Sequence, residues 1–411
     1  MHVVIVSDFA DVNGGSAKVA ISTAIGLARR GAPVTFFCAI NPIHPELLDA
    51  GVNVHCLGIE SVWQEANPFT AALRGIWNPI AAQELQRILA NIPARDVIVH
   101  FHQWTKALSP SVLRVPQRHN LAGVVTAHDY FLACPNGAYF HYPRLANCCL
   151  QPLSAQCIAA RCDSRSYGHK LVRVVRQSAT SNALQFSSRP LHVVHVSGFA
   201  RAVLGPLLPS HIPQHVLPNP VLVCKLDPAP VHRNRWFTAI GRFTVEKGLE
   251  DFADVAKRLD IPARFIGEGP LVGRIRELCP NAQIMPWVSG DQLLRRLREA
   301  RALLFPSLWQ ETFGMVAHEA LSQGIPVIAS RTTAPAEQIE DASNGFLIDP
   351  GDQEQLVVAL ERLRDDRLVR ELGLRAYSKF WAMPPTLDRH LDGLIAIYER
   401  ALNEATPQKQ A

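Results

Sequence analysis

The stretch Ala302-Leu303-Leu304-Phe305-Pro306, followed closely by Glu311-Thr312-Phe313-Gly314-Met315-Val316-Ala317-His318-Glu319, decides how the chain is read. The apolar run reads as a buried strand. The second run reads as a loop that opens an amphipathic helix over 315–323. A strand end, a loop and a helix N-terminus together form the mouth where parallel α/β sheets bind anionic ligands. The two carboxylates stand eight positions apart, about two helical turns, so they project from nearly the same face. Paired acids there suit a ligand with many hydroxyls, because a carboxylate accepts hydrogen bonds in pairs.

The same alternation runs outward in both directions. Strands are expected at 3–7, 34–38, 97–101, 122–128 and 192–197 with helices at 16–30 and 80–89. Further strands are expected at 237–240, 264–266, 302–305 and 326–329 with helices at 249–259, 290–300, 315–323 and 353–364. Repeated βα units predict parallel sheets wrapped by helices. The segment 217–230 carries four prolines, which forbid a regular helix or a central strand, so it reads as a linker. The fold class is therefore α/β, with two Rossmann-like domains facing across a cleft: 1–218 and 231–383. A last helix beyond Met383-Pro384-Pro385, within 386–411, is expected to pack back on the first domain.

Composition narrows the class. A chain of 411 residues with 48% apolar and 19% charged residues is a folded globular protein of about two domains. No apolar run approaches the length that spans a bilayer. The start of the chain lacks the signature of a secretory signal, so the expected location is cytoplasmic. A net charge of +5 fits phosphate-bearing ligands or peripheral contact with an anionic membrane, and nothing points to nucleic acid. The stretch 161–176 places Arg161, Arg165, His169, Lys170, Arg173 and Arg176 among apolar residues. It reads either as a membrane- or acceptor-facing helix or as an ordinary exposed helix with one buried stripe. Five of the nine cysteines bunch at Cys134, Cys148, Cys149, Cys157 and Cys162. Packed thiols and a structural zinc on Cys134, Cys148, Cys157 and Cys162 both remain open, although the spacing fits no common finger.

Four short motifs carry chemistry. Gly14-Gly15 precedes a helix without the G-x-G-x-x-G fingerprint, and lets backbone N–H groups come close to a phosphate or sugar. Gly241-Arg242 through Lys247-Gly248 sets a planar guanidinium and a mobile ammonium around one strand end. That pair can neutralise a diphosphate without a metal ion. Gly267-Glu268-Gly269-Pro270 ends another strand and leaves room for a ribose or base. His128-Asp129 ends 122–128 and offers an imidazole to a hydroxyl or to developing charge. His100 and His102 read as structural.

Taken in order, Gly14-Gly15, His128-Asp129, Val196-Ser197, Leu217-Pro218-Asn219-Pro220, Gly241-Arg242…Lys247-Gly248, Gly267-Glu268-Gly269-Pro270 and Glu311…Glu319 resemble glycosyltransferase family 4, retaining enzymes of GT-B architecture. The resemblance covers most of the chain. The region from His128 to Cys162 is also similar to members from bacterial polysaccharide gene clusters. The resemblance implies that Arg242 and Lys247 bind a donor diphosphate, with Gly241, Gly267 and Glu268 lining the donor site. It implies that Glu319 holds ribose hydroxyls, and that Glu311 sits by the donor sugar with the amides of Phe313, Gly314 and Met315. It places Gly14 and Gly15 against the diphosphate and His128 at the transferred sugar. Ser16-Ala17-Lys18 departs from the family, where an acidic residue commonly precedes the lysine. The implied reaction moves a sugar, with retention, from a nucleotide-diphosphate sugar to a glycan or lipid-linked acceptor in cell-surface polysaccharide synthesis. No cofactor is implied, and the leaving phosphate would take the acceptor's proton. An epimerase or phosphorylase on the same scaffold and a non-catalytic sugar-nucleotide binder are the alternative readings.

Overall fold

The computed structural model describes residues 1–93, 96–185, 189, 191–288 and 290–405. The chain divides into two compact units. The first comprises 1–138, 149–220 and 385–411, and the second comprises 139–148 and 221–384. Residues 139–148, which the sequence leaves inside the first domain, thus group with the second unit. The expected terminal helix segment 406–411 lies outside the described residues.

In chain order the strands are β1 (His2–Ala10), β2 (Val34–Ile43), β3 (Asn53–Cys56), β4 (Val97–Phe101), β5 (Ala122–Ala127), β6 (Phe140–His141), β7 (Ala146–Asn147), β8 (His192–His195) and β9 (Gln214–Val216). They continue as β10 (Trp236–Ile240), β11 (Ala263–Ile266), β12 (Gln283–Met285), β13 (Ala300–Phe305), β14 (Val327–Ser330) and β15 (Gly345–Ile348). One sheet has the order β3-β2-β1-β4-β5-β8-β9 and the other β12-β11-β10-β13-β14-β15, while β6 and β7 form a small hairpin. Every neighbouring pair in the two large sheets is parallel. Their strands read as nearly continuous apolar runs because both faces are covered by helices. In each sheet the strand order reverses at one place: between β1 and β4 in the first, and between β10 and β13 in the second. Ligands of open parallel sheets bind beyond the strand ends at such reversals.

The helix α1 (Gly15–Arg29) follows β1 and buries Ala20, Ile21 and Ala24 against Val3 and Ile5. The terminal helix Leu387–Ala405 joins this core through Leu391, Leu394, Ile397 and Tyr398. It is pinned at the surface by Arg30, whose guanidinium donates to Asp392 and Asp388 at 2.6 and 2.8 Å. No helix among the described residues is long and apolar enough to cross a membrane.

Candidate active site

Two loops meet at the reversal of the second sheet. The loop after β10 runs from Gly241 to Gly248, and the loop after β13 runs from Pro306 to Gly314. They interlock through the backbone: the Leu308 N–H donates to the Glu246 carbonyl at 2.9 Å. Gly248, at φ 64°, lies so close that a Cβ there would sit 2.2 Å from the Pro306 carbonyl oxygen. Any side chain would push the loops apart. The interlock delivers the Lys247 ammonium onto the Glu311 carboxylate, which also accepts from the Ser307 hydroxyl at 2.7 Å. The ammonium lies 5.5 Å from the Trp309 ring. Both partners are largely shielded from water, with side-chain exposures of 17% and 10%. Arg242 projects into solvent from the same loop and makes no ion pair or hydrogen bond through its guanidinium among the described residues. The loop after β10 thus carries one cation matched by Glu311 and one that is free among the described residues.

The helix Met315–Ser322 starts at this mouth. Gly314 precedes it in the left-handed conformation, at φ 74° and ψ 63°, without a side-chain cap. A Cβ on Gly314 would meet Pro335 at 2.4 Å, so the tight turn and the close packing both require glycine. The first amide to close on Gly314 is that of Ala317, at 3.0 Å. The N–H groups of Phe313, Gly314, Met315 and Val316 therefore have no partner among the described residues. Consecutive unpaired amides at a helix N-terminus attract an anion. His318 braces this turn: its ring stacks on Phe313 with centroids 4.2 Å apart and planes 3° apart, and its Nδ1 lies 3.1 Å from the Gly314 carbonyl oxygen. Burial pushes the His318 imidazole down to about 4, so at neutral pH it is uncharged and adds hydrogen bonding rather than charge. Sequence reasoning gave His318 no role, although its spacing of five from Phe313 on a helix start was visible.

The structure brings together Gly241, Arg242, Lys247, Glu311, Phe313, Gly314 and Met315 around this mouth. Glu319 is buried one turn into the same helix, with Ser322 donating to its carbonyl at 2.7 Å. Gly267 and Glu268 close the adjacent β11, where the Glu268 carbonyl accepts from the Phe243 N–H at 2.8 Å and the side chain is exposed.

The remaining predicted residues belong to the first unit. Gly14, at φ 137°, caps α1 with open space around it, and the N–H groups of Gly15, Ser16 and Ala17 are unpartnered among the described residues. The loop after β4 reaches this turn through Gln103, whose amide donates to the Ser16 hydroxyl. Asp8 anchors the same loop by accepting from the N–H groups of Lys106, Ala107 and Leu108 at 2.8 to 3.0 Å. His128 directly follows β5 and is hydrogen-bonded to His102, Nε2 to Nδ1 at 3.0 Å. Burial, and after it the neighbouring His390, pushes His128 down to about 3, so this imidazole is neutral. His102 is thus a direct partner of the candidate residue, a contact across 26 residues that strand alternation alone does not reveal. A pocket here is lined by His102, Gln103, Thr126, His128, Asp129 and Phe131. Into this buried region His102 Nε2, Gln103 Oε1 and Trp104 Nε1 bring polar atoms that find no partner among the described residues. Burial raises the Asp129 carboxyl to about 6.

The cysteine bunch does not assemble as a zinc site. Among the described residues no group of three or more His, Cys, Asp or Glu is placed to hold a metal. The cation beside Cys157 and Cys162 is the ammonium of Lys170. Lys170 and Arg176 are buried, so the helix Tyr167–Gln185 does not present all six of its neighbourhood's cations outward.

Residues 228–379 match the family described as "Glycosyl transferases group 1". The matched segment holds Arg242, Lys247, Glu311 and Glu319. A GDP-mannose-dependent alpha-mannosyltransferase of Corynebacterium glutamicum is 30% identical over 167 residues, 39% of this chain and 40% of that protein. The chain therefore spans two fifths of that relative's length. Among solved structures, the sucrose-phosphate synthase of Thermosynechococcus elongatus superposes with a TM-score of 0.69 at 15% identity, covering 98% of this chain and 99% of the other. Anabaena HepE in complex with UDP-glucose superposes with a TM-score of 0.65 at 15% identity, covering 97% and 100%. The fold is that of the GT-B glycosyltransferases, two Rossmann-like units.

Proposed function

We propose that this protein is a glycosyltransferase that moves a sugar from a nucleotide-diphosphate sugar to a glycan or lipid-linked acceptor in polysaccharide synthesis, with retention of anomeric configuration as in family 4. One observation carries the reading: Lys247, on the loop that also bears Arg242, and a run of amides unpaired among the described residues meet at one strand-end mouth inside the segment that matches the group 1 family. An ammonium, a guanidinium and amide dipoles are what a departing diphosphate needs as negative charge develops on its oxygen. In this account the donor's phosphates draw Lys247 away from Glu311, and the released carboxylate accepts hydrogen bonds from sugar hydroxyls. Glu319, one turn deeper, takes the ribose. The names of the relatives support a nucleotide-sugar donor, since one is named for GDP-mannose and a structural neighbour was solved with UDP-glucose.

In the first unit, the neutral His128–His102 pair and the unpaired polar atoms around it offer hydrogen bonds to sugar hydroxyls without introducing charge. Gly14 precedes a run of amides at Gly15, Ser16 and Ala17 that is open, among the described residues, to an anionic group. Retention fits a front-face displacement in which the leaving phosphate takes the acceptor's proton, so neither Glu311 nor Glu319 is assigned as a covalent nucleophile. The diphosphate is held by protein cations, and no metal cofactor is required. Peripheral attachment to an anionic membrane at the cytoplasmic face suits a lipid-linked acceptor.

Incubation of the full chain with a panel of nucleotide sugars, with and without acceptor and chelator, tests this reading. Acceptor-dependent release of nucleoside diphosphate that survives chelation is expected. Turnover that needs added magnesium or manganese would contradict the metal-free site, and binding without turnover for any donor–acceptor pair would favour the non-catalytic binder.

A further inference from the structure

The cluster left unused by the transferase site is the one around Lys170. This side chain lies in the first turn of the helix Tyr167–Gln185 and is completely buried, at 0% exposure. An ammonium placed so deep normally finds a carboxylate or several carbonyl oxygens. Here its only hydrogen-bond partners among the described residues are two sulfurs: Cys162 Sγ at 3.0 Å and Cys157 Sγ at 3.8 Å. The nearest acid in sequence, Asp163, is engaged with Arg173 at 2.9 Å. Cys162 Sγ receives a second donor, the Asn136 amide nitrogen at 3.6 Å. Asn136 is buried too, and its carbonyl oxygen accepts from the Cys134 thiol at 3.1 Å. Two N–H donors are thus aimed at one sulfur, and the lysine is the nearer of them. The amine and the sulfur therefore form a preassembled, water-excluded pair at contact distance.

We propose that Lys170 and Cys162 are a covalent modification site, in which the amine and the sulfur become joined through a single oxygen atom when the chain meets dioxygen. In the balanced step, the thiol, the amine and one O2 give an S–O–N link and one water. The O–O bond breaks; one oxygen forms bonds to sulfur and to nitrogen, and the other leaves as water with the thiol hydrogen and one amine hydrogen. Sulfur and nitrogen each lose two electrons, and dioxygen takes all four. Dioxygen is small and apolar enough to enter a packed interior that excludes larger oxidants, and the absence of water protects the link once made. A dithiol reductant reverses it.

The link would also matter mechanically. Six and seven residues further along the same helix, Arg176 donates to the carbonyls of Thr105 and Pro135 at 3.3 and 3.2 Å, and Gln177 donates to that of Leu132 at 3.0 Å. Those carbonyls belong to the loops that follow His102 and His128. Tying Lys170 to Cys162 fastens the helix that supports both loops, so the cluster is placed to stiffen the wall of the pocket in the first unit.

The test is peptide mass spectrometry on the full chain, purified under air without reductant and compared with a sample reduced by dithiothreitol. A joined pair of peptides containing Cys162 and Lys170 is expected, heavier than their sum by one oxygen and lighter by two hydrogens, and dithiothreitol should return the separate peptides. Cys157→Ser should retain the link, whereas Cys162→Ser and Lys170→Arg should each lose it. Cys162→Ser is close to isosteric, so it keeps the test valid if Lys170→Arg does not fold. Separate, unmodified peptides after prolonged exposure to air would overturn the proposal. So would a Cys157–Cys162 disulfide, lighter by two hydrogens with no added oxygen, or a metal ion retained on the native chain with these cysteines unmodified.

Discussion

The two sheets end in opposite chemistry. At the reversal of the second sheet, a lysine and a glutamate are locked together, and among the described residues an arginine stands free and four consecutive amides lack partners. At the matching edge of the first sheet, beside Asp129, two imidazoles are held neutral by burial and packed ring on ring, with His102 and His128 5.2 Å apart. In the proposed function the charged edge exchanges an internal charge pair for an external anion. The other is built to donate and accept hydrogen bonds without adding charge. The same βα architecture thus supplies an electrostatic end and a neutral end, and the difference resides in side chains at equivalent strand ends.

The largest effect expected from breaking this contrast is at the charged edge. Lys247→Ala and Glu311→Ala should each lower transfer by about 10²- to 10³-fold or more, the scale seen when a transition-state donor is removed. Both variants should remain folded by circular dichroism. The two should differ in binding: Lys247→Ala weakens nucleotide diphosphate affinity in calorimetry, whereas Glu311→Ala leaves the diphosphate bound and loses recognition of the sugar. Equal loss of nucleotide affinity in both would mean that the pair acts only as a structural brace.

The neutral edge should respond more mildly. His128→Ala is expected to reduce kcat by roughly 10²-fold, within the range for a group that positions or polarises a reacting hydroxyl, with nucleotide affinity unchanged. A shift in nucleotide affinity would place His128 in phosphate binding and erase the contrast between the edges.

The smallest effect expected is on stability against pH. His128 and His318 have folded-state values of about 3 and about 4, below the ordinary 6.5. A depressed value means that the unfolded chain binds the proton first. Their contribution to stability is therefore complete above about pH 6.5 and is lost as pH falls toward the folded-state values. Asp129 runs the other way, since its folded value of about 6 lies above 3.8 and its contribution declines as pH rises from about 4 to 6. Two groups against one predict a net fall in melting temperature on acidification below pH 6.5. His318→Phe keeps the stack on Phe313 and should flatten that fall. An unchanged slope would show that His318 is not buried as described.

Much of this was legible in the residues. The central strands are largely apolar runs, β10 ending just before Gly241 and β13 just before Pro306, and β4 (Val97–Phe101) has the limits that the sequence suggests. The edge strands β3 (Asn53–Cys56) and β9 (Gln214–Val216) are short, polar and partly exposed, so they carry no comparable signal. The helix Asp366–Ala382 also went unread, its apolar positions being interrupted by Arg, Gly and Lys. At the candidate site, residue types and their order along the chain identified Lys247 and Glu311 separately. Their ion pair spans 64 residues and follows only from the sheet order that brings β10 beside β13. The His102–His128 contact depends likewise on β4 lying beside β5. Lys170 shows the limit most clearly: a lysine among arginines on a helix reads as surface charge, and only packing shows that it points into a nest of thiols.

The central claim is that protein cations, without a metal, hold the donor's diphosphate at the end of the second sheet. Isothermal titration of the full chain with a nucleoside diphosphate in excess chelator, for wild type and Lys247→Ala, tests it directly. Saturable binding to wild type that weakens at least about 10-fold in the variant, near 1.4 kcal/mol, is the predicted result. Binding that disappears with chelator, or that is indifferent to the loss of Lys247, would contradict it.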